Sequence, residues 1–470
     1  MMYDQKPVRV RFAPSPTGML HIGGLRTALF NFLFARHNQG SFLVRIEDTD
    51  KERSQDHYTQ MIIDTLSWCA MGSDETIVIQ SERHSEHLRI AHELISQGKA
   101  YYCYCSPDEL QKRVGNVTRE GVSYVRYDGY CKRFIGLQPG KDIEKPYVIR
   151  FAVPESCTQV VVQDIIKGPI TFNADTFDDF ILLRSDGSPM YNFVVVVDDA
   201  FMRISHIIRG EEHLINTPKQ ILLYQACGYA VPTFGHLPLI LGPDGAKMSK
   251  RDAAANAYDY KKQGYLPHAL CNYLVRLGWA HGDQEIFTLS EMIASFTLEG
   301  VSSKGALFDA QKLDWVNGMH MKNSSAQALY DYMSGVLGLP LANNFSSWSM
   351  QTIFAAIDLY KKRSVTLQEL FNELVQLHHR PQRYELNNLT HEQKKLLESL
   401  MTLLVETHFV AEELTQKIKE FCRNQQIGLG DLAPLIRVSL TGKKDAPGIY
   451  DLMMVCGKDE TIARVHAYAA

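Results

Sequence analysis

Valine and aromatic positions alternate with basic ones over Pro7 to Phe12, "PVRVRF", which predicts a β-strand. From Leu25 to His37, "LRTALFNFLFARH" carries apolar residues at helical spacing and ends in basic residues followed by Gly40, which predicts a helix and its stop. The same two periods then alternate. A strand pattern over Ser41 to Asp48 precedes helix patterns over Glu52 to Met71 and Ser85 to Gly98, the rhythm of a parallel sheet with crossover helices. From about Tyr101 to Met190 the runs become shorter and strand-rich, as an insertion would. The α/β rhythm resumes with "YNFVVVVDD" (Tyr191 to Asp199), "ISHIIRGEEH" (Ile204 to His213) and a helix pattern over Pro218 to Gly228. Beyond Pro267 nearly every segment has helical period.

Between the first strand and the first helix lies "RFAPSPTGMLHIGG" (Arg11 to Gly24). A loop at the carboxyl end of a strand opens onto a helix N-terminus, whose N–H groups and partial positive charge suit a phosphate. Pro14 and Pro16 stiffen the segment, Gly18 relieves a turn, and Gly23 and Gly24 remove side chains where a nucleotide approaches. On these residues alone an ordinary βα loop with a space-filling histidine accounts for the pattern equally well. A second loop, "GPDGAKMSKR" (Gly242 to Arg251), sets Lys247 and Lys250 around Met248 and Ser249 between the strand-like "LPLIL" and a helix. Two lysines on a glycine-rich loop can close over a phosphate chain, or stand solvated.

Composition narrows this little. The chain has 470 residues, 45% hydrophobic and 22% charged, with a formal net charge of -4, so any RNA contact rests on local basic patches. No stretch has the length and apolarity of a membrane span and the N-terminus lacks a signal peptide's apolar core, which predicts a cytoplasmic protein. Nine scattered cysteines predict reduced thiols rather than a disulfide framework. Three of them, Cys103, Cys105 and Cys131, lie in the insertion with Tyr127 nearby. Three thiolates and a fourth ligand could hold zinc, or the thiols could stand free.

Together "RFAPSPTGMLHIGG", "VRIEDTD" (Val44 to Asp50), "YNFVVVVDD", "IIRGEEHLINTPKQ" (Ile207 to Gln220), "KMSKR" and "LTGKKDAPGIYDLM", in this order, resemble the class I aminoacyl-tRNA synthetases and within them the bacterial glutamyl-tRNA synthetases. The resemblance runs from about residue 7 to about residue 465. It implies a Rossmann-type catalytic domain in two halves, 1–100 and 191–252, with an inserted acceptor-binding domain at 101–190, a helical stem-contact domain at 253–320 and an all-α anticodon-binding region at 321–470. The general class signature ends in a second histidine where this chain has Gly24, and bacterial glutamyl enzymes commonly carry glycine there.

What the resemblance implies about chemistry is specific. L-glutamate is activated by ATP with Mg²⁺ to glutamyl-adenylate, then passed to the terminal ribose of tRNA(Glu), by a protein expected to be a monomer. His21, Lys247 and Lys250 would serve catalysis, and Pro14, Ser15, Pro16, Thr17, Gly18, His21, Gly23, Gly24 and Lys247 to Arg251 would hold ATP. Arg11 and Arg209 would meet the substrate carboxylates, Tyr191 would add a hydroxyl and Glu47 would receive the α-ammonium, with Ala13 and Ser15 lining the site. On chemistry alone, Arg11 and Arg209 could instead pair with Glu47, Asp48 or Glu212. Val195 stands where some relatives carry asparagine. Tyr127 would complete a structural zinc site with Cys103, Cys105 and Cys131, as a tyrosine does in some relatives. Lys361, Lys362 and Arg363 form the basic patch expected at the anticodon loop, where bases can be splayed and read on their edges. Rival readings are a form that also charges tRNA(Gln), a non-catalytic RNA-binding paralogue, and a simpler nucleotidylyltransferase, to which a long helical ending would be useless.

Overall fold

The computed structural model describes residues 7–470 except 51, 120–121, 136–144, 175–176 and 249–255. It divides into two compact units. The first runs to Tyr258 and takes in Cys271–Asp309; the second holds Asp259–Leu270 and Ala310–Ala470.

In the first unit, strand β1 (Arg9–Phe12), helix α1 (Ile22–His37) and strand β2 (Ser41–Ile46) follow the sequence pattern closely. β1 pairs in parallel with β2, Arg9 opposite Ser41 and Phe12 opposite Val44, and β2 pairs in parallel with Val78–Ile79. Both strands are mostly buried, as a parallel sheet covered on both faces requires. On the other side of β1, Ser205 donates its N–H to the Arg9 carbonyl at 2.9 Å and accepts the Arg9 N–H on Oγ at 2.8 Å. This brings in the strand His206–Gly210, parallel to Thr233–Leu237. The strand Gln159–Asp164 pairs with Thr233–Leu237 through Asp164 and Phe234, then turns back antiparallel as Gly168–Asn173. A hairpin from the strand-rich stretch is thus part of the same sheet as a strand of the resumed α/β rhythm.

The four-valine run is helical, not extended: Tyr191–Phe201 is an α-helix with Phe193 to Asp199 all buried. β-branched side chains disfavour helix locally, but Phe193, Val196 and Val197 pack against Ile207, Leu222 and Phe234, and that burial decides the conformation. Helix α1 is apolar around most of its circumference and has eleven buried residues, so it is a core helix rather than a surface one. Its stop differs in detail from the expected glycine. Gln39 takes the left-handed conformation at φ 51°, while Gly40 is required by close approach.

The second unit is helical throughout its described length apart from turns. In Leu367–His378 the buried residues Leu367, Leu370, Phe371, Leu374 and Leu377 recur at helical spacing, and the Thr366 hydroxyl caps the first turn by accepting the Glu369 N–H. Arg464 is buried and donates to the carbonyls of Leu440 and Leu377, each in the last turn of a helix, where a cation suits unsatisfied C=O groups. Among the described residues no helix is long and apolar enough to cross a membrane.

A Cβ on Gly40 would sit 2.2 Å from the Val8 carbonyl oxygen, a backbone atom with little room to yield. Gly40→Ala should therefore cost about 2 to 3 kcal/mol by overpacking the α1–β2 connection. Urea unfolding checks it, and an unchanged midpoint would contradict the packing described.

Candidate active site

The segment after β1 carries two tight contacts that shape a cavity. Helix α1 is capped by His21, whose Nδ1 accepts the Gly23 N–H at 3.0 Å, a role more often taken by Ser, Thr, Asp or Asn. With Nδ1 accepting, the neutral ring carries its proton on Nε2 and can donate from there. Gly24 has no side chain because a Cβ would meet Leu20 Cδ1 at 2.8 Å. This packing constraint stands beside the close approach of a nucleotide that the sequence pattern suggests.

The cavity, of about 530 Å³, lies beyond the carboxyl ends of β1 and of the strand His206–Gly210, the position expected for a ligand in an open α/β sheet. It brings together Arg11, Ala13, Pro14, Ser15, Gly18, His21, Gly23, Gly24, Glu47, Tyr191, Arg209, Lys247 and Met248. Pro16 and Thr17 are not in its lining. Thr17 borders a neighbouring cleft shared with Ser15, Glu47 and Tyr191, and the Pro16 carbonyl accepts the Gln55 N–H. Ser249, Lys250 and Arg251 lie outside the described residues. Val195 is buried in its helix and does not reach the cavity.

At the cavity floor the charges pair in a way the sequence did not suggest. Arg11 grips Asp199 with Nε at 3.0 Å and Nη2 at 3.3 Å, which leaves Nη1 and the second Nη2 hydrogen to offer a ligand. Arg45 bridges Asp199 at 2.5 Å and Glu47 at 2.8 Å. Burial pushes Asp199 upward, but the charges of Arg11 and Arg45 outweigh it and hold the carboxyl below its ordinary range. For Glu47 burial wins, and its carboxyl titrates above the ordinary range in spite of Arg45.

Arg209 is placed differently. It is 5% exposed, yet among the described residues no carboxylate touches it. Nε donates to His236 Nε2 at 3.1 Å, Nη2 donates to Thr217 Oγ1 at 2.8 Å, and Nη1 is buried with no hydrogen-bond partner among the described residues. Burial lowers the pKa of this cation, an indication that its charge is poorly compensated. Tyr191 Oη lies 3.1 Å from His213 Nδ1. Burial and the Glu47 charge raise the tyrosine to about 12, and burial with the Arg209 charge lowers the histidine to about 4, so both are neutral at pH 7.

The cysteines of the insertion also converge. The sulfurs of Cys103, Cys105 and Cys131 lie within 4.8 Å of one another, with 3.5 Å between Cys105 and Cys131. Tyr127 joins them: its hydroxyl accepts the Cys131 N–H at 2.8 Å and hydrogen-bonds Cys103. Arg113 donates to Cys105 Sγ at 3.2 Å and Arg150 bonds Cys103, two cations against the sulfurs. Three soft sulfurs with a phenol oxygen are a donor set that suits a tetrahedral zinc ion, and the arginines suit its anionic ligands. In the helical unit the basic patch separates. Lys361 is tied to the Ser324 carbonyl and to Asp358, each at 2.7 Å, and Arg363 pairs with Asp445, while Lys362 is exposed.

Comparison with known proteins shows the family to which this fold and sequence are similar. A family model for the catalytic domain of class I tRNA synthetases (E and Q) matches residues 7–315, and one for an anticodon-binding domain matches 327–469. The chain is 41% identical to a glutamate–tRNA ligase of Syntrophus aciditrophicus, covering 100% of this chain and 98% of that one. It is 42% identical to a second such ligase of Brucella ovis, over 98% of each. A crystal structure of a glutamate tRNA ligase from Elizabethkingia meningosepticum in complex with its amino acid superposes with a TM-score of 0.86 at 33% identity, covering 99% of both chains.

Removing one cation from the paired floor should be severe. Arg45→Met leaves Asp199 and Glu47 buried with one arginine between them, and should cost about 3 to 5 kcal/mol of stability. Chemical denaturation reads it, and a loss below about 1 kcal/mol would mean the carboxylates are not held by Arg45.

Proposed function

Because the chain belongs to the class I tRNA synthetases of the glutamate and glutamine group, we propose that its cavity activates L-glutamate with ATP and hands it to the terminal ribose of tRNA(Glu). The observation that carries the reading is that one cavity lining combines two unlike sets of groups. One set is the buried Arg209 with Arg11, Tyr191 and Glu47; the other is the N-terminus of α1, capped by His21, with Lys247. A dicarboxylate with an ammonium suits the first, with Glu47 as the anion, and a triphosphate suits the second.

The chemistry asks little covalent work of the protein. A glutamate α-carboxylate oxygen attacks the α-phosphorus, the bond to the departing pyrophosphate breaks, and negative charge grows on the leaving phosphates. Donors already aimed at that charge lower the barrier, and His21 Nε2, the α1 N–H groups and Lys247 are the donors on this side, with Lys250 the fourth from the matching motif. Mg²⁺ bound with ATP supplies further charge neutralisation. The ribose hydroxyl then attacks the activated carbonyl and AMP leaves. Glutamine is disfavoured by donor direction rather than size: its amide NH₂ would face groups that can only donate.

The reading extends to a cytoplasmic monomer, to tRNA contact by the helical unit, and to one structural zinc on Cys103, Cys105, Tyr127 and Cys131. Of the three basic residues assigned to the anticodon loop, Lys361 and Arg363 have partners within the fold, and Lys362 is exposed.

Aminoacylation of purified tRNA(Glu) and tRNA(Gln), with glutamate and glutamine side by side, tests the reading; charging of tRNA(Glu) with glutamate is expected, and its failure would sink it. His21→Ala and Lys250→Ala should each lose about 2 to 4 kcal/mol of transition-state stabilisation, read as kcat/KM. Undiminished adenylate formation by either variant would remove that residue from the phosphate site. Metal analysis of protein purified without chelator should find about one zinc per chain, with Cys103→Ser abolishing it. Zinc near zero in the parent would leave the three cysteines and Tyr127 as a cluster without a metal.

A further inference from the structure

Arg209 does not hold itself in place. Its Nε–H is received by His236 Nε2 at 3.1 Å, and His236 can receive it only if its own proton is on the other nitrogen. That proton is kept there by Asp164: His236 Nδ1 lies 2.6 Å from Asp164 Oδ2, and all of these groups are buried. Thr217 Oγ1 closes the arrangement, 3.1 Å from His236 Nε2 and 2.8 Å from Arg209 Nη2. With Nε and one side of Nη2 taken, the guanidinium has one corner left for a ligand, the buried and unpartnered Nη1.

We propose that Asp164 and His236 are positioning residues for substrate recognition: Asp164 locks the tautomer of His236, and His236 sets the orientation in which Arg209 meets a substrate carboxylate. The inference rests on the reading that Arg209 grips glutamate. Asp164 stands at the end of the hairpin strand Gln159–Asp164, far in sequence from the pocket, and is itself fixed by the backbone N–H groups of Ile166 at 2.9 Å, Lys167 at 2.8 Å and His236 at 3.3 Å, all onto Oδ1. Only Oδ2 faces the imidazole. The two oxygens therefore divide the work, one anchoring the carboxylate and the other orienting the ring.

That division supplies a clean test. Asp164→Asn keeps an oxygen for the three backbone donors and turns the other position into an NH₂, which must donate to His236 Nδ1 and so drive the ring's proton to Nε2, against the Arg209 Nε–H. The KM for glutamate in aminoacylation of tRNA(Glu) should rise about tenfold or more, the scale of a lost orienting partner, while the KM for ATP and the melting temperature stay near parental. A general structural defect would move all three. In an Arg209→Lys background, which lacks the fork, Asp164→Asn should add less than about twofold. If Arg209→Lys raises the glutamate KM but Asp164→Asn does not, the positioning role is wrong and the site reading survives. If Arg209→Lys leaves it unchanged, the site reading itself fails. Should Asp164→Asn not fold, His236→Gln and His236→Leu replace it: glutamine still offers an acceptor to Arg209 and a donor to Asp164, leucine neither, so equal glutamate KM values in the two would overturn the proposal.

Discussion

Asp199 is the point on which the site is built. A fully buried carboxylate on the helix Tyr191–Phe201 is held by Arg11 from β1 and Arg45 from β2, and Arg45 reaches on to Glu47 just past β2. Each of these charges would be expensive to bury alone, and each is tolerable only because the others are present. The pairing therefore fixes two neighbouring strands and the helix in one geometry. The cavity floor inherits that geometry, because Arg11 and Glu47 are at once members of the chain of charges and part of the lining.

The consequence is a division between two arginines that look alike in sequence. Arg11 has spent two of its three donor positions on Asp199, so its net charge at the cavity is largely answered within the protein. Arg209 has neutral partners, a histidine and a threonine, and a nitrogen with none. A cation dehydrated without a counter-ion is a site whose missing charge has to arrive with the ligand. An amide brings no charge and offers one acceptor where a carboxylate offers two. Selectivity for a carboxylate then follows less from the number of arginines than from which of them the fold has left unanswered.

How much of this the sequence disclosed depended on how local each cause was. The loop from Arg11 to Gly24 was legible because proline, glycine and a capping histidine act within a few residues, and the cavity does assemble around it. The cysteine cluster was legible from residue type, since Cys103 and Cys105 lie two apart and the third thiol, Cys131, is 26 residues beyond Cys105. The helix Tyr191–Phe201 was not, since four valines in a row favour a strand until the packing around them is known. Asp199, Asp164 and His236 carried no signal, because their roles come from partners 188, 72 and 27 residues away. The basic patch at Lys361 to Arg363 shows what sequence leaves out: Lys361 bonds the Ser324 carbonyl and Asp358, and Arg363 pairs with Asp445, partners that a charge run does not announce.

The insertion bears on the same point. Read along the chain, residues 101–190 interrupt the α/β pattern as an inserted domain would. In the sheet, however, Asp164 and Phe234 pair, Asp164 meets the ring and the backbone N–H of His236, and Lys167 from the hairpin turn reaches Glu211 just past the strand that carries Arg209. Glu211 in turn accepts the Leu239 N–H at 2.9 Å. These bonds close loops of many tens of residues, so they are entropically costly to form early and are stable only when both sides are in place. The hairpin and the part of the cavity lined by Arg209 must then order together, and the orientation of Arg209 is a property of that joint structure rather than of the strand on which Arg209 lies.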